Sequence, residues 1–131
     1  MAKQAIPTGR LILWERTILG NPQSKANSRR IISINGKTRS IKSKDALSYL
    51  HTFGIQCPTL DPPFTGDLHM DIDIYYQSRR SDLDESIIMD ALQGKVYVND
   101  RQVRSKFVRG FIDKDNPRAI IKITPLEPDN A

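Results

Sequence analysis

The run from Leu68 to Tyr76 constrains the fold more than any other part of the chain. Leu68, Met70, Ile72, Ile74 and Tyr76 alternate with His69, Asp71, Asp73 and Tyr75. Successive side chains of a strand point to opposite faces, so this period of two predicts one apolar face against a core and one polar face outside. Such a strand needs partners and a covering layer. The remaining apolar patterns predict both.

Leu11 to Leu19 is apolar and β-branched enough for a strand, and Gly20-Asn21-Pro22 breaks it. Ile31–Ile34 and Lys37–Ile41 flank Asn35-Gly36, which tolerates the positive φ angles of a type I′ turn, so a hairpin is predicted. Its second strand sets Lys37 and Arg39 on one face, either along a polyanion or guarding an exposed edge. Ser43 predicts the cap of a helix from about Lys44 to Phe53, with Gly54 as its stop and Ala46, Leu47, Leu50 and Phe53 as its apolar stripe. Pro58, Pro62, Pro63 and Gly66 mark residues 54–66 as a loop. Val103 to Ile112 predicts a strand with Val103, Phe107 and Phe111 inward and Arg104 and Lys106 outward. Residues 113–117 then turn into a closing strand, Ala119 to Ile123. Residues 1–9 and 125–131 are expected to be flexible. Together these give one α+β domain spanning 1–131: a mainly antiparallel or mixed sheet, mostly hairpin-linked, with two helices packed on one face.

Chemistry concentrates between Arg79 and Val103. Asp82 and Asp84, two residues apart in extended chain, point to the same side, and two facing carboxylates repel unless a cation or a proton lies between them. Hard cations such as Mg²⁺ take such oxygens, one or two from the protein, and keep waters. A third carboxylate, Asp100, is expected to return by a short helix and strand. A plain structural role is also open: Asp82 and Glu85 suit the first turn of a helix running from near Asp82 to Gly94. Asp71 and Asp73 form a second same-face pair, expected to be solvated or paired with arginine. His51 and His69 show no ligand spacing.

Charge points the same way. The net charge of +5 divides into +8 over residues 1–50 and −3 over residues 51–131. A basic half joined to an acidic site suits a polyanion bound beside cations, so nucleic acid is the expected partner. Cys57 is the only cysteine, which excludes an intrachain disulfide and a cysteine-built zinc site and suits a reducing cytoplasm. No apolar run is long enough to span a membrane, and no signal-peptide pattern opens the chain.

Arg79-Arg80, Asp82-Leu83-Asp84, Asp90-Ala91-Leu92 and Tyr97-Val98-Asn99-Asp100-Arg101-Gln102-Val103 occur in the order of a known pattern: basic residues, D-L-D-N-L-x-K-x-x-x-D-A-L, an aromatic-rich strand, then D-D-x-Q-V. The stretch resembles the RusA family of Holliday-junction resolvases, and Gly20 to Arg30 resembles that family's G-x-P-x-x-K-x-x-x-R element. The resemblance spans roughly residues 10–124. It implies a Mg²⁺-dependent (Mn²⁺ possible) endodeoxyribonuclease of DNA recombination and repair, acting as a homodimer on four-way junctions. It also implies phage or prophage origin and action in the bacterial cytoplasm. On this resemblance Asp82, Asp84 and Asp100 are the metal-binding and catalytic aspartates, and Lys25, Arg29, Arg30, Lys37, Arg39, Arg79 and Arg80 contact DNA. The chain departs from the pattern in one place. Asp84 lies six rather than eight residues before Asp90, and counting four on from Asp84 reaches Ile88 where the family has its catalytic lysine. The departure implies a looser, slower site, with Lys25, Lys95 or Lys106 as substitutes for the lysine. The alternative is a catalytically impaired homologue that binds junctions or other nucleic acid.

Overall fold

The computed structural model describes residues 14–126. Of the flexible ends expected at 1–9 and 125–131, residues 1–9 and 127–131 lie outside the described residues, as does the predicted strand's start at 11–13. Pro125 and Leu126 correct the expectation, the first closing the last strand and the second donating its N–H to Asp67 O at 2.9 Å. Six strands and two helices follow in the order β1 (Trp14–Leu19), β2 (Arg29–Ile34), β3 (Lys37–Lys42), α1 (Lys44–Gln56), β4 (Leu68–Tyr76), α2 (Ser86–Leu92), β5 (Val103–Ile112) and β6 (Arg118–Pro125).

The alternating run is β4, and it lies inside a four-stranded sheet of order β1-β6-β4-β5. Leu68, Met70, Ile72, Ile74 and Tyr76 are all buried. Ala119, Ile121 and Ile123 of β6, Ile18 of β1, and Ala46, Tyr49, Phe53, Ile87, Ile88 and Leu92 of the helices join them in one core. Both helices therefore cover the same face. The polar face has one buried member, His69, whose Nδ1 lies 2.7 Å from Ser105 Oγ and Nε2 3.4 Å from Asp71. On that face Arg109 forks onto Asp73 through Nε and Nη2, each at 2.9 Å, as expected of an arginine-paired carboxylate.

The connections differ from those expected. β4 and β5 run parallel, joined across α2, while β6 lies antiparallel on the other side of β4. The 113–117 turn thus links strands that do not pair, and the sheet is mixed. A register shift beside Leu68/His69, where Val103 faces Leu68 but Ser105 faces His69, alters β5 in a second way. One extra residue flips every later side chain to the opposite face. Phe107 and Phe111 are therefore turned to the open face, 48 % and 38 % exposed, instead of inward. Lys106, Val108 and Gly110 take the helix side.

Ser43 caps α1 as predicted, its Oγ accepting from Ala46 N at 3.1 Å. Gly54 does not stop the helix. Gln56 anchors an added last turn by bonding both Leu19 N (2.7 Å) and Leu19 O (2.9 Å) of β1. The apolar stripe includes Tyr49 in place of Leu47, which is exposed. The β2–β3 hairpin turns through Asn35 (φ 52°) and Gly36 (φ 77°) as a separate two-stranded sheet. Its Ile31 and Ile34 are exposed, so it stands off the core as an arm.

Candidate active site

The loop leaving β4 carries Arg79, Arg80, Asp82 and Asp84, and two contacts seat it. Leu83 rests on Gly110, where a Cβ would come within 3.1 Å of Leu83 Cδ1. Tyr76 Oη accepts the backbone N–H of Asp84 at 3.0 Å. Residues 82–85 are not helical, which corrects the expected helix from Asp82. α2 begins at Ser86 with no side-chain cap from Glu85. Asp84 does that work from outside the helix. Its Oδ1 accepts from Ser86 N (2.9 Å) and Ser86 Oγ (2.6 Å), and its Oδ2 accepts from Lys25 N (2.6 Å). Burial pushes this carboxyl up, but the hydrogen bonds from Ser86 and Lys25, with the Lys25 charge, outweigh it. Asp84 is held below the usual carboxylate range. Asp82 is exposed.

Asp100 arrives differently from the strand expected. Residues 93–99 make only isolated bridges, and Asp100 opens a short 3₁₀ turn, Asp100–Gln102. Asn99 and Gln102 form a reciprocal capping box. The Gln102 carboxamide oxygen also accepts from Val98 N (2.8 Å), and its nitrogen donates to Phe64 O (2.8 Å) and Gly66 O (2.9 Å). Asp100 N donates to Gln93 Oε1 at 2.8 Å. Asp100 Oδ1 accepts from the hydroxyl of the buried Tyr97 at 2.8 Å. Burial, then this bond to Asp100, drives the Tyr97 hydroxyl's pKa well up, so it stays a donor.

Between the 20–28 loop and α2 lies a cleft of about 370 Å³. Lys25, Arg29 and Lys42 line it with positive charge; Asp90, Asp100 and Ser86 face them. Asp84 is tied to two of these residues, Lys25 and Ser86. Asp82 is not among the lining residues. Asp90, Lys42, Ser86 and Tyr97 were not singled out from sequence as site residues; Asp90 carried a signal as the aspartate of the D-A-L piece, and Tyr97 as the aromatic ahead of Asn99-Asp100. Carboxylate oxygens are the donors Mg²⁺ takes; Asp84 Oδ1 already accepts two hydrogen bonds, but Asp84 Oδ2 and both oxygens of Asp100 keep a free lone pair, so the donor chemistry fits. Among the described residues, however, no three His, Cys, Asp or Glu side chains form a group able to hold a metal by themselves.

Of the other candidates, Arg30, Lys37 and Arg39 share one face of the hairpin by register, and Arg29 sits on the other with Lys42. Arg29 bonds Ser40 Oγ (2.9 Å) and Ser40 O (2.7 Å). Arg79 and Arg80 are exposed beyond β4. Lys106 pairs with Glu85, Lys95 lies beside Gly54, and Lys25 alone of the three lines the cleft.

A family model described as endodeoxyribonuclease RusA matches residues 20–124, most of the chain. The chain belongs to the RusA endodeoxyribonuclease family. The match takes in the loop, the hairpin, both helices and all of the sheet's strands but β1, and therefore every element that borders the cleft. A comparison with curated proteins found no match. Ile88, the position where the resemblance led the family's lysine to be expected, is fully buried in the core and offers no room for a charge. No helix among the described residues is long and apolar enough to cross a membrane.

Proposed function

We propose that this RusA-family chain is a Mg²⁺-dependent endonuclease that cuts four-way DNA junctions in recombination and repair, acting as a homodimer. The observation that carries the reading is the cleft with a cationic wall facing carboxylates, in a chain of this family. Lys25, Arg29 and Lys42 would receive phosphate oxygens, and Asp84 and Asp100, with Asp82 on the same loop, would hold the metal. When bound, Mg²⁺ supplies Lewis-acid charge stabilisation and an activated water. The chain's own residues do the positioning. Tyr97 fixes the direction of the Asp100 carboxylate, and Tyr76 fixes the backbone of Asp84. Lys25 stands where a cation can offset charge gathering on the phosphate. A junction has two-fold symmetry, so a C2 dimer sets one site on each of two opposed strands. An encoded phage or prophage origin belongs with this reading.

A strand-labelled four-way junction incubated with Mg²⁺ tests it. Paired nicks near the branch point are expected, with linear duplex of the same sequence left intact and EDTA stopping the reaction. No nicking, with junction binding retained, would favour the binding-only alternative. Equal nicking of linear duplex would refute junction selectivity.

A further inference from the structure

A second concavity, of about 740 Å³, opens at the far ends of β4 and β5, away from the cationic wall. Its size lies within the roughly 300–1,000 Å³ of small-ligand sites. Phe111, Ile112, Leu83 and Tyr76 give it an apolar surface, and Ser78 and Arg79 stand among its polar residues. Phe111 is packed against neighbouring side chains of the chain itself. It stacks on Tyr75 with centroids 4.8 Å apart and planes 20° from parallel, and the Arg118 guanidinium lies 3.9 Å from the Tyr75 centroid. The Arg109 guanidinium, held by Asp73, is 5.8 Å from the Phe111 centroid. Phe111 thus ends a pre-formed stack and remains 38 % exposed. Leu83 and Ile112 beside it are 51 % and 48 % exposed. Arg79 makes no ion pair among the described residues. The wall is shared with the candidate active site, because the Tyr76 hydroxyl in this groove accepts the N–H of Asp84.

A flat π-face, hydroxyl groups for a polar edge and a nearby cation together match one ligand chemistry. We propose that this groove receives an unstacked nucleobase of the DNA substrate, its ring on Phe111 and its adjoining phosphate on Arg79. Stacking on an aromatic side chain suits any base, since every base has a π-face, while a backbone phosphate supplies the charge that Arg79 lacks. The proposal rests on the nuclease reading above. It adds that the enzyme holds one nucleotide out of the helix on the loop that carries Asp82 and Asp84, and so sets where the strand lies against the cleft.

The probe is a four-way junction with one unpaired thymine at the branch point, compared with the same junction carrying an abasic site there. Affinities are measured in EDTA, and the comparison is made within each variant, so that a general loss of affinity cancels. The native chain is expected to prefer the thymine junction by roughly five- to a hundred-fold, the scale of base–aromatic stacking. Phe111→Ala should reduce that preference to about onefold, and Phe111→Tyr should keep it. Equal affinity of the native chain for the two junctions overturns the proposal and leaves the nuclease reading standing. A preference that survives Phe111→Ala also overturns it. A Phe111→Ala chain that sediments as a monomer where the native chain is a dimer shows the groove to be a contact between copies instead. No binding of the native chain to either junction removes the nuclease reading and this inference together.

Discussion

Asp84 carries two loads, and they pull on the same two oxygens. It joins the 20–28 loop to the start of α2, and it is proposed to bind a cation that needs those lone pairs. Its shortest side-chain contact, from Ser86 Oγ at 2.6 Å, stabilises the ionised form. Ser86→Ala should therefore raise the Asp84 pKa back toward the ordinary carboxylate value, read by NMR titration of its side-chain carbon. The sign for stability follows. A carboxyl depressed in the folded state stabilises the fold above its unfolded pKa, and that contribution disappears as pH falls through the folded value. The variant should lose about 1 kcal/mol at neutral pH, solvent screening included, and the gap to the native chain should narrow under acid. A gap that widens under acid would assign Asp84 the opposite ionisation. None of this was visible in the D-x-D spacing. The spacing showed that two carboxylates fall close in sequence, but a partner 59 residues away, Lys25, decides what one of them does.

At the scale of the element, the segment from Gln93 to Val103 shows how the site is held. Sequence alternation located β4 to the residue because one complete face of that strand is buried. It mistook the face of Phe107 and Phe111 because one extra residue near Arg104 shifts the register, and no periodicity within β5 reveals what lies opposite it. It predicted a strand before Asp100, where the chain instead makes a tight loop stapled by side chains. The capping box of Asn99 and Gln102 was not singled out from sequence, and the second use of Gln102, bracing the 64–66 backbone, depends on a loop some 36 residues earlier. Gln102→Leu leaves Phe64 O, Gly66 O, Val98 N and Asn99 N without that partner. Buried unpaired groups cost roughly 1–3 kcal/mol each, less where water reaches them, so Tm should fall by several degrees. Junction cleavage should fall further than junction affinity, because Asp100 loses its mooring while the cationic wall is untouched. Parallel losses in both would mean that Gln102 merely supports the whole fold.

For the whole molecule, the uneven charge read from composition acquires a shape. Six of the ten cations of the first fifty residues, Lys25, Arg29, Arg30, Lys37, Arg39 and Lys42, lie on the 20–28 loop and the hairpin arm, and Asp90 of α2 and Asp100 of the following turn border the same cleft. The arm has little core of its own, and an isolated two-stranded hairpin is marginal in water. Its value is in what it carries, Arg30, Lys37 and Arg39 on one face. If that face follows a DNA backbone, the affinity for a junction falls steeply with salt, and each phosphate contact contributes about 0.9 to the slope of log affinity against log salt. Lys37→Ala with Arg39→Ala should therefore flatten the slope by roughly two, measured by titration at about 50 to 200 mM salt. An unchanged slope would move the DNA path off the arm.

The central claim is that the cleft between the 20–28 loop and α2 is where a strand is cut, with Asp100 as one of its carboxylates. Asp100→Asn tests it most directly. The amide keeps an oxygen for the Tyr97 hydroxyl and preserves the backbone bond to Gln93, so the turn is retained while the charge is removed. Cleavage of a labelled four-way junction in Mg²⁺ and binding of the same junction in EDTA are measured side by side. Cleavage is expected to drop to background, with affinity equal to the native chain's or higher, since one negative charge no longer repels phosphate. Cleavage by Asp100→Asn at the native rate would contradict the account.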